Sequence, residues 1–208
     1  MFVLPDSYTT GAITNAWVPN GTSGVYIWGA QIEAGAFATS YIPTVAATVT
    51  RAADSASMTG TNFSSWFNAS EGTFVVESTE VEGAGSSKSF AARKGATTSL
   101  IRAGRNFGTG QGSGDVFNAG SAQAQIVTAN AWNSAAFNKI AFAYKLNDVG
   151  VSLNGGAAAT DMIATIPTDC DELSIGTNGV GPIINGHIKS LTFFNTRKTN
   201  AELVTLST

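Results

Sequence analysis

The chain has 208 residues, with 11 Lys or Arg, 14 Asp or Glu, one His and one Cys, for a net charge of −3. Charged residues make up 12%, about half the ~25% of an ordinary soluble domain, while a 43% hydrophobic fraction is ample for a core and excludes a disordered chain. The absence of a basic cluster argues against nucleic acid, and no run of about 18 apolar residues is present to cross a membrane as a helix. The lone Cys170 cannot close an intrachain disulfide.

In chain order, Val25, Tyr26, Ile27 and Trp28 read as a first strand, and residues 62–67 as a helical turn. Glu71-Gly72 opens a strand over 73–77, followed by shorter candidates at 89–93 and 99–102. Residues 104–120 carry Gly108, Gly110, Gly112 and Gly114 in alternation and read as a flexible rim loop. Residues 125–128 form another short strand candidate. Ile140, Phe142, Tyr144 and Leu146 then alternate with Ala141, Ala143 and Lys145, the period of a half-buried strand. A turn at 147–150 returns the chain into 151–153. Asn154-Gly155 next supplies the two positive-φ residues of a type I′ turn. Strands at 173–175 and 187–194 follow, and Thr199 with Glu202 forms a capping box ahead of a short helix. Many short strands with Gly-rich turns predict an all-β, antiparallel jelly-roll sandwich with an extended N-terminal segment and a short C-terminal helix. Residues 1–50, with one strand, are too few for a core of their own and are expected to dock or oligomerise, leaving 51–208 as the sandwich.

Two stretches carry a family resemblance. The first is Ile27-Trp28-Gly29-Ala30-Gln31-Ile32-Glu33-Ala34-Gly35, continuing through Ala38-Thr39-Ser40-Tyr41-Ile42-Pro43-Thr44 to Thr50-Arg51-Ala52-Ala53-Asp54. It resembles a junction of tailed-bacteriophage fibre and head-spike proteins, where a carbohydrate-binding-module-like jelly roll ends and the next domain begins. The second runs from Glu71-Gly72-Thr73-Phe74, through Ile140-Ala141-Phe142-Ala143-Tyr144 and Val151-Ser152-Leu153-Asn154-Gly155, to Gly186-His187-Ile188 and Thr199. It is similar to the laminin-G / concanavalin-A-like lectin sandwich. The resemblance implies a virion protein, partnered by capsid or tail proteins and by its own copies, with a trimer implied. Val25, Tyr26, Ile27, Trp28, Tyr41 and Ile42 are the attachment candidates. The preceding jelly roll is expected to survive only as the remnant in 1–45.

The search for chemistry yields few candidates. Glycan hydrolysis needs two carboxylates about 5–10 Å apart, and Glu77, Glu80 and Glu82 are the only clustered ones, with a spacing that fits a solvated strand end better. One His and one Cys exclude a Cys/His zinc cluster within the chain. No cofactor is expected; calcium is the one metal with candidate ligands, at Asp161, Asp169, Asp171 and Glu172, a patch that reads more readily as a solvated turn. Sugars stack C–H faces on aromatic rings and share hydroxyls with amides. Trp132 with Asn130 and Asn133, and Asn106, Phe107, Asp115 and Phe117 around the Gly-rich loop, are therefore the carbohydrate candidates. The same Trp132 also reads as a core cap, Trp28 and Trp66 read as packing residues, and Cys170 as an inert small residue.

The resulting expectation is a non-enzymatic virion protein displaying a lectin-like domain for weak, multivalent glycan contact. An adsorption lectin with a defined host-glycan specificity is the alternative, and a glycan depolymerase ranks third.

Overall fold

A computed structural model describes residues 26–33, 40–50, 55–80, 88–95, 98–106, 108–177 and 183–208. The chain divides into two units, Met1–Ala52 and Ala53–Thr208.

The second unit is a two-sheet antiparallel sandwich. Its elements in chain order are β1 (Ala56–Thr59), α1 (Thr61–Ser64), β2 (Glu71–Ser78), β3 (Phe90–Lys94), β4 (Ser99–Asn106), β5 (Gln111–Asn118) and β6 (Ser121–Ala131), then β7 (Asn138–Lys145), β8 (Val149–Leu153), β9 (Ala159–Asp161), β10 (Glu172–Ile175), β11 (Ile188–Phe194) and α2 (Asn200–Leu206). One sheet has six strands in the order β1-β10-β3-β4-β5-β6, the other five in the order β11-β2-β7-β8-β9.

Alternation sets the inner faces. Phe74 and Val76 of β2, Ile140, Phe142 and Tyr144 of β7, and Val149, Val151 and Leu153 of β8 are fully buried in one cluster. They meet Phe90 and Ala92 of β3, Ile101 and Ala103 of β4, and Val116 of β5. Phe74 stacks on Phe90 with ring centroids 4.2 Å apart, joining the two sheets. After α1, Trp66 and Phe67 lie against Phe193 at 5.1 and 5.9 Å, closing the edge of the core with aromatic surface.

Three expectations change here. The Gly-rich stretch 104–120 is mostly a hairpin, β4 and β5, with turns at 108–110 and 119–120. Gly112 and Gly114 face the core, because a Cβ at Gly112 would lie 3.1 Å from Leu153 and one at Gly114 2.2 Å from Phe142. These glycines make room for large side chains of the facing sheet rather than for loop motion. Second, β7 is covered on both faces: α2 lays Leu203 over Val75, Ala141 and Ala143 in a separate buried cluster. Third, Leu146 leaves the strand and stands 59% exposed in the turn.

The turn and cap chemistry follows the sequence. Asn154 and Gly155 take φ of 48° and 70°, and Gly156 N–H donates to Leu153 O at 2.9 Å. Thr199 caps α2: its Oγ1 accepts from Glu202 N–H at 3.3 Å, while the Glu202 carboxylate accepts from Thr199 N–H at 2.7 Å.

In the first unit, residues 26–33 and 40–50 contain no strand, so the strand expected at 25–28 is absent over its described part; Val25 lies outside the described residues. Gln31 ties the two stretches together, its Oε1 accepting from Ile42 N–H at 2.8 Å. Trp28 meets Tyr41 edge to face at 6.2 Å, yet Trp28 is 85% exposed and so is not the packing residue expected.

Candidate carbohydrate-contact surface

The described carbohydrate candidates fall into two places, and among them no ring presents an open sugar platform. Trp132 follows the end of β6 and is only 6% exposed, within the main core cluster. Its backbone N–H donates to Gly110 O at 2.9 Å, and its indole Nε1 has no hydrogen-bond partner among the described residues. Of its two readings, core cap and sugar platform, the structure realises the first. Asn130 spends its amide on Leu153 O at 3.0 Å. Asn133 is exposed, but its Oδ1 accepts from Ala135 N–H at 3.0 Å, shaping the loop itself.

The second place is the outer face of β4 and β5. Since Gly112, Gly114 and Val116 point inward, Ser113, Asp115 and Phe117 point the other way. Asp115 is 5% exposed and ion-paired twice, to Arg102 Nε at 3.0 Å and to Lys88 Nζ at 3.3 Å. The Arg102 guanidinium also stands 5.3 Å from the centre of the Phe117 ring. Lys88, 3% exposed, donates to Ser113 Oγ as well. Burial pushes the Lys88 ammonium below its usual range, and Asp115 partly restores it. Lys88 reaches this place because β4 carries Gly104 beneath it. A Cβ there would lie 2.6 Å from Ser89 N and 2.8 Å from Lys88 Cα, so only glycine lets the two backbones cross. Asp115 and Phe117 are thus engaged in a buried charge cluster. Asn106 is a turn former, its Oδ1 accepting from Gly108 N–H at 3.0 Å and Thr109 N–H at 3.3 Å. Phe107 lies outside the described residues.

Two of the three clustered acidic candidates are described. Glu80 is 1% exposed and Glu77 lies on the outer face of β2, while Glu82 lies outside the described residues. Among the described residues no three His, Cys, Asp or Glu side chains gather around a point that could hold a metal ion. Of the calcium candidates, Glu172 is committed to Arg93 at 2.9 Å, and Asp161 accepts from Ile163 N–H at 2.9 Å.

The open concavity of the sandwich is elsewhere, on the outer face of the five-stranded sheet beside the end of α2. It holds about 330 Å³ and is lined by Glu77, Phe137, Lys139, Asn154, Ser207 and Thr208. Its surroundings are tied together by one amide, Asn138, which is fully buried at the start of β7. Asn138 Oδ1 accepts from Asn133 N–H at 2.8 Å and from Asn154 Nδ2 at 2.9 Å. Its Nδ2 donates to Asn133 O at 2.7 Å and Ala136 O at 3.0 Å. All four hydrogen-bonding positions of the amide are used. The loop carrying Phe137 and the turn carrying Asn154 are thereby stapled to one point, and Phe137 stands 48% exposed at the rim.

Of the concavity's residues the sequence singled out Glu77 for chemistry and Asn154 as a turn former. Phe137 carried a signal: it is an odd-numbered aromatic next to a strand whose core residues are all even-numbered.

No protein-family model matches the chain, and no curated protein matches it in sequence. Solved structures do match in fold. The carbohydrate-binding module CBM40 of the Ruminococcus gnavus IT-sialidase, bound to α2,3 sialyllactose, aligns with a TM-score of 0.56 at 14% identity, over 68% of this chain and 84% of that one. Domain 4 of AbnA, an extracellular arabinanase of Geobacillus stearothermophilus in complex with arabinotriose, aligns with a TM-score of 0.53 at 15% identity, over 69% of each chain. The chain therefore has the antiparallel jelly-roll fold found in carbohydrate-binding modules, as the strand pattern implied.

Proposed function

We propose that the protein is a non-catalytic structural component of a tailed-bacteriophage virion, a head fibre, spike or tail fibre, that displays its sandwich for weak, multivalent glycan contact. Support for display comes from the jelly-roll fold shared with carbohydrate-binding modules and from the junction-like sequence of residues 27–54. The observation that carries assembly is the apolar exposure of the first unit: Tyr26 is 100% exposed, Ile27 and Trp28 85% each, and Ile32 103%. Four large apolar side chains so close in sequence are costly to leave in water, at about 25 cal/mol per Å². With Tyr41, 47% exposed, and the half-buried Ile42, they offer a contact for capsid or tail proteins or for further copies of the chain. Repetition then converts weak single contacts into avidity.

Mass spectrometry of purified virions should find this chain, and its absence would refute the virion role. Light scattering of the full chain should show an oligomer that Trp28→Ser with Ile32→Ser converts to monomer. A monomeric wild-type protein would remove the self-assembly role of these residues and leave only contact with other virion proteins. The depolymerase reading draws no support from Glu80, which is buried, or from Glu77, which is paired with Lys189. The reading as a lectin of defined specificity has lost its Trp132 platform.

A further inference from the structure

We infer that the concavity beside α2 is a saccharide subsite suited to an acidic sugar, a uronic or other carboxylated pyranose. The inference rests on the glycan-contact reading and gives it a location and a ligand class. Three observations carry it.

The first is an aromatic ring with an ammonium over one face, leaving the other for a ligand. Phe137 is half exposed, and Lys189 Nζ sits 5.6 Å from the centre of its ring. A pyranose stacked on Phe137 would bring its substituents within reach of that ammonium. The second is a β-bulge that places the lysine. Ile188 pairs with Ser78 and Ser190 with Glu77, leaving Lys189 as the extra residue between them. Bulges of this kind re-aim a side chain. Here the bulge puts Lys189 Nζ at 2.6 Å from Oε1 of Glu77, a lining residue of the concavity, with the lysine side chain 60% exposed. The third is charge. Two ammoniums, Lys139 and Lys189, stand at the concavity, and of the two Lys189 is the more exposed, bonded to Glu77. Lys139 Nζ meanwhile donates to Thr208 O at 2.9 Å. An incoming carboxylate would be attracted to the ammoniums and would compete with Glu77 for Lys189.

That competition gives an unusual signature. If Glu77 were a calcium ligand or a hydroxyl acceptor, its loss would weaken binding. In this arrangement Glu77→Gln frees Lys189 and removes a repelling charge, so it should tighten binding of an acidic sugar.

The test titrates the full chain by NMR or calorimetry with a glucuronate-containing tetrasaccharide and, in parallel, a neutral glucose tetrasaccharide. The expected result is weak binding of the acidic sugar that falls at least fivefold in Phe137→Ala and in Lys189→Met, rises at least twofold in Glu77→Gln, and weakens with added salt. All three positions are exposed or rim residues, so thermal melts should confirm that each variant is folded. Binding of the acidic sugar unaffected by Phe137→Ala and Lys189→Met would overturn the location. Weaker binding in Glu77→Gln, or equal binding of the neutral sugar with no effect of Lys189→Met, would overturn the acidic class while leaving glycan contact standing. Binding of neither sugar overturns the subsite. A glycan array on the intact oligomer then distinguishes this from failure of glycan contact, since signal there keeps the broader reading alive.

Discussion

Gly114→Ala tests the inward-facing hairpin most sharply. A Cβ at this position lies 2.2 Å from Phe142 Cε2 and 2.3 Å from Cδ2. Carbon atoms rest at about 3.5–4.0 Å, so the ring would have to move by more than about 1 Å. Phe142 is fully buried between the two sheets, with no free volume to take up that shift. Overpacking of this kind costs about 1–3 kcal/mol. Removing a glycine returns about 0.4–1 kcal/mol through the unfolded chain. The net loss should be about 1–2 kcal/mol, or ~3–8 °C in Tm for a unit of this size. Gly108→Ala is the control, because its Cβ would make only an ordinary 3.6 Å contact with Asn106 Oδ1; it should stay within about 0.5 kcal/mol of wild type. Urea denaturation of both variants, and of Gly114→Ala combined with Phe142→Leu, completes the design. The double variant should lose less than the sum of the singles, by about 0.5 kcal/mol or more. If Gly114→Ala matches Gly108→Ala in stability, then Gly114 does not support Phe142 and the hairpin reasoning fails.

Other predictions follow from the charged and capping groups. Asp115→Ala strands Lys88 as an unpaired buried cation and should cost about 3–5 kcal/mol in denaturant, whereas Asp115→Leu with Lys88→Met should recover most of that loss; equal losses in the two would refute the pairing. Glu202 is held below its ordinary value of 4.5, first by Thr199 N–H and then by the Thr199 hydroxyl. Its contribution is thus fully present above pH 4.5 and is lost as pH falls through the lowered folded value, so Glu202→Gln should flatten stability against pH in that acid window and nowhere else. The Cys170 thiol is pushed up from 9.0 to about 12, by burial first and then by Asp169 and Asp171. At pH 8 it should react with iodoacetamide roughly a thousandfold more slowly than an ordinary thiol, and labelling at the rate of free cysteine would show that the thiol is not in this environment.

Much of the sandwich was legible because its signals are local. The alternation of Ile140, Phe142 and Tyr144, the Asn154-Gly155 turn and the Thr199–Glu202 cap each depend on a few neighbouring residues. β5 was missed because its inward positions are Gly112 and Gly114. A glycine is chosen for what stands opposite, here Leu153 and Phe142, and that is invisible along the chain. Ala141 and Ala143 read as a solvent face for the same reason: small residues suit the seat of a helix more than 50 residues away in sequence as well as they suit water. Residue type misled at Asp115 and Phe117, where Arg102 and Lys88 claim the groups a sugar would have used. The concavity escaped because Glu77, Phe137 and Lys189 meet only when β2, β7 and β11 pair and the bulge at Lys189 forms.

The edges of the sheets bear on how densely such a sandwich can be crowded. Each sheet ends in a strand too short to template another, β1 with four residues and β9 with three. The two longer edge strands are interrupted: β11 by the break at Lys189, and β6 by register shifts along its pairing with β5. An unbroken edge would invite ribbons of copies to zip together through their backbones. Short or kinked edges deny that route, which matters most where net charge is too small to hold copies apart. Many sandwiches can then stand side by side at millimolar local concentration and still meet a surface as separate, independently reversible contacts.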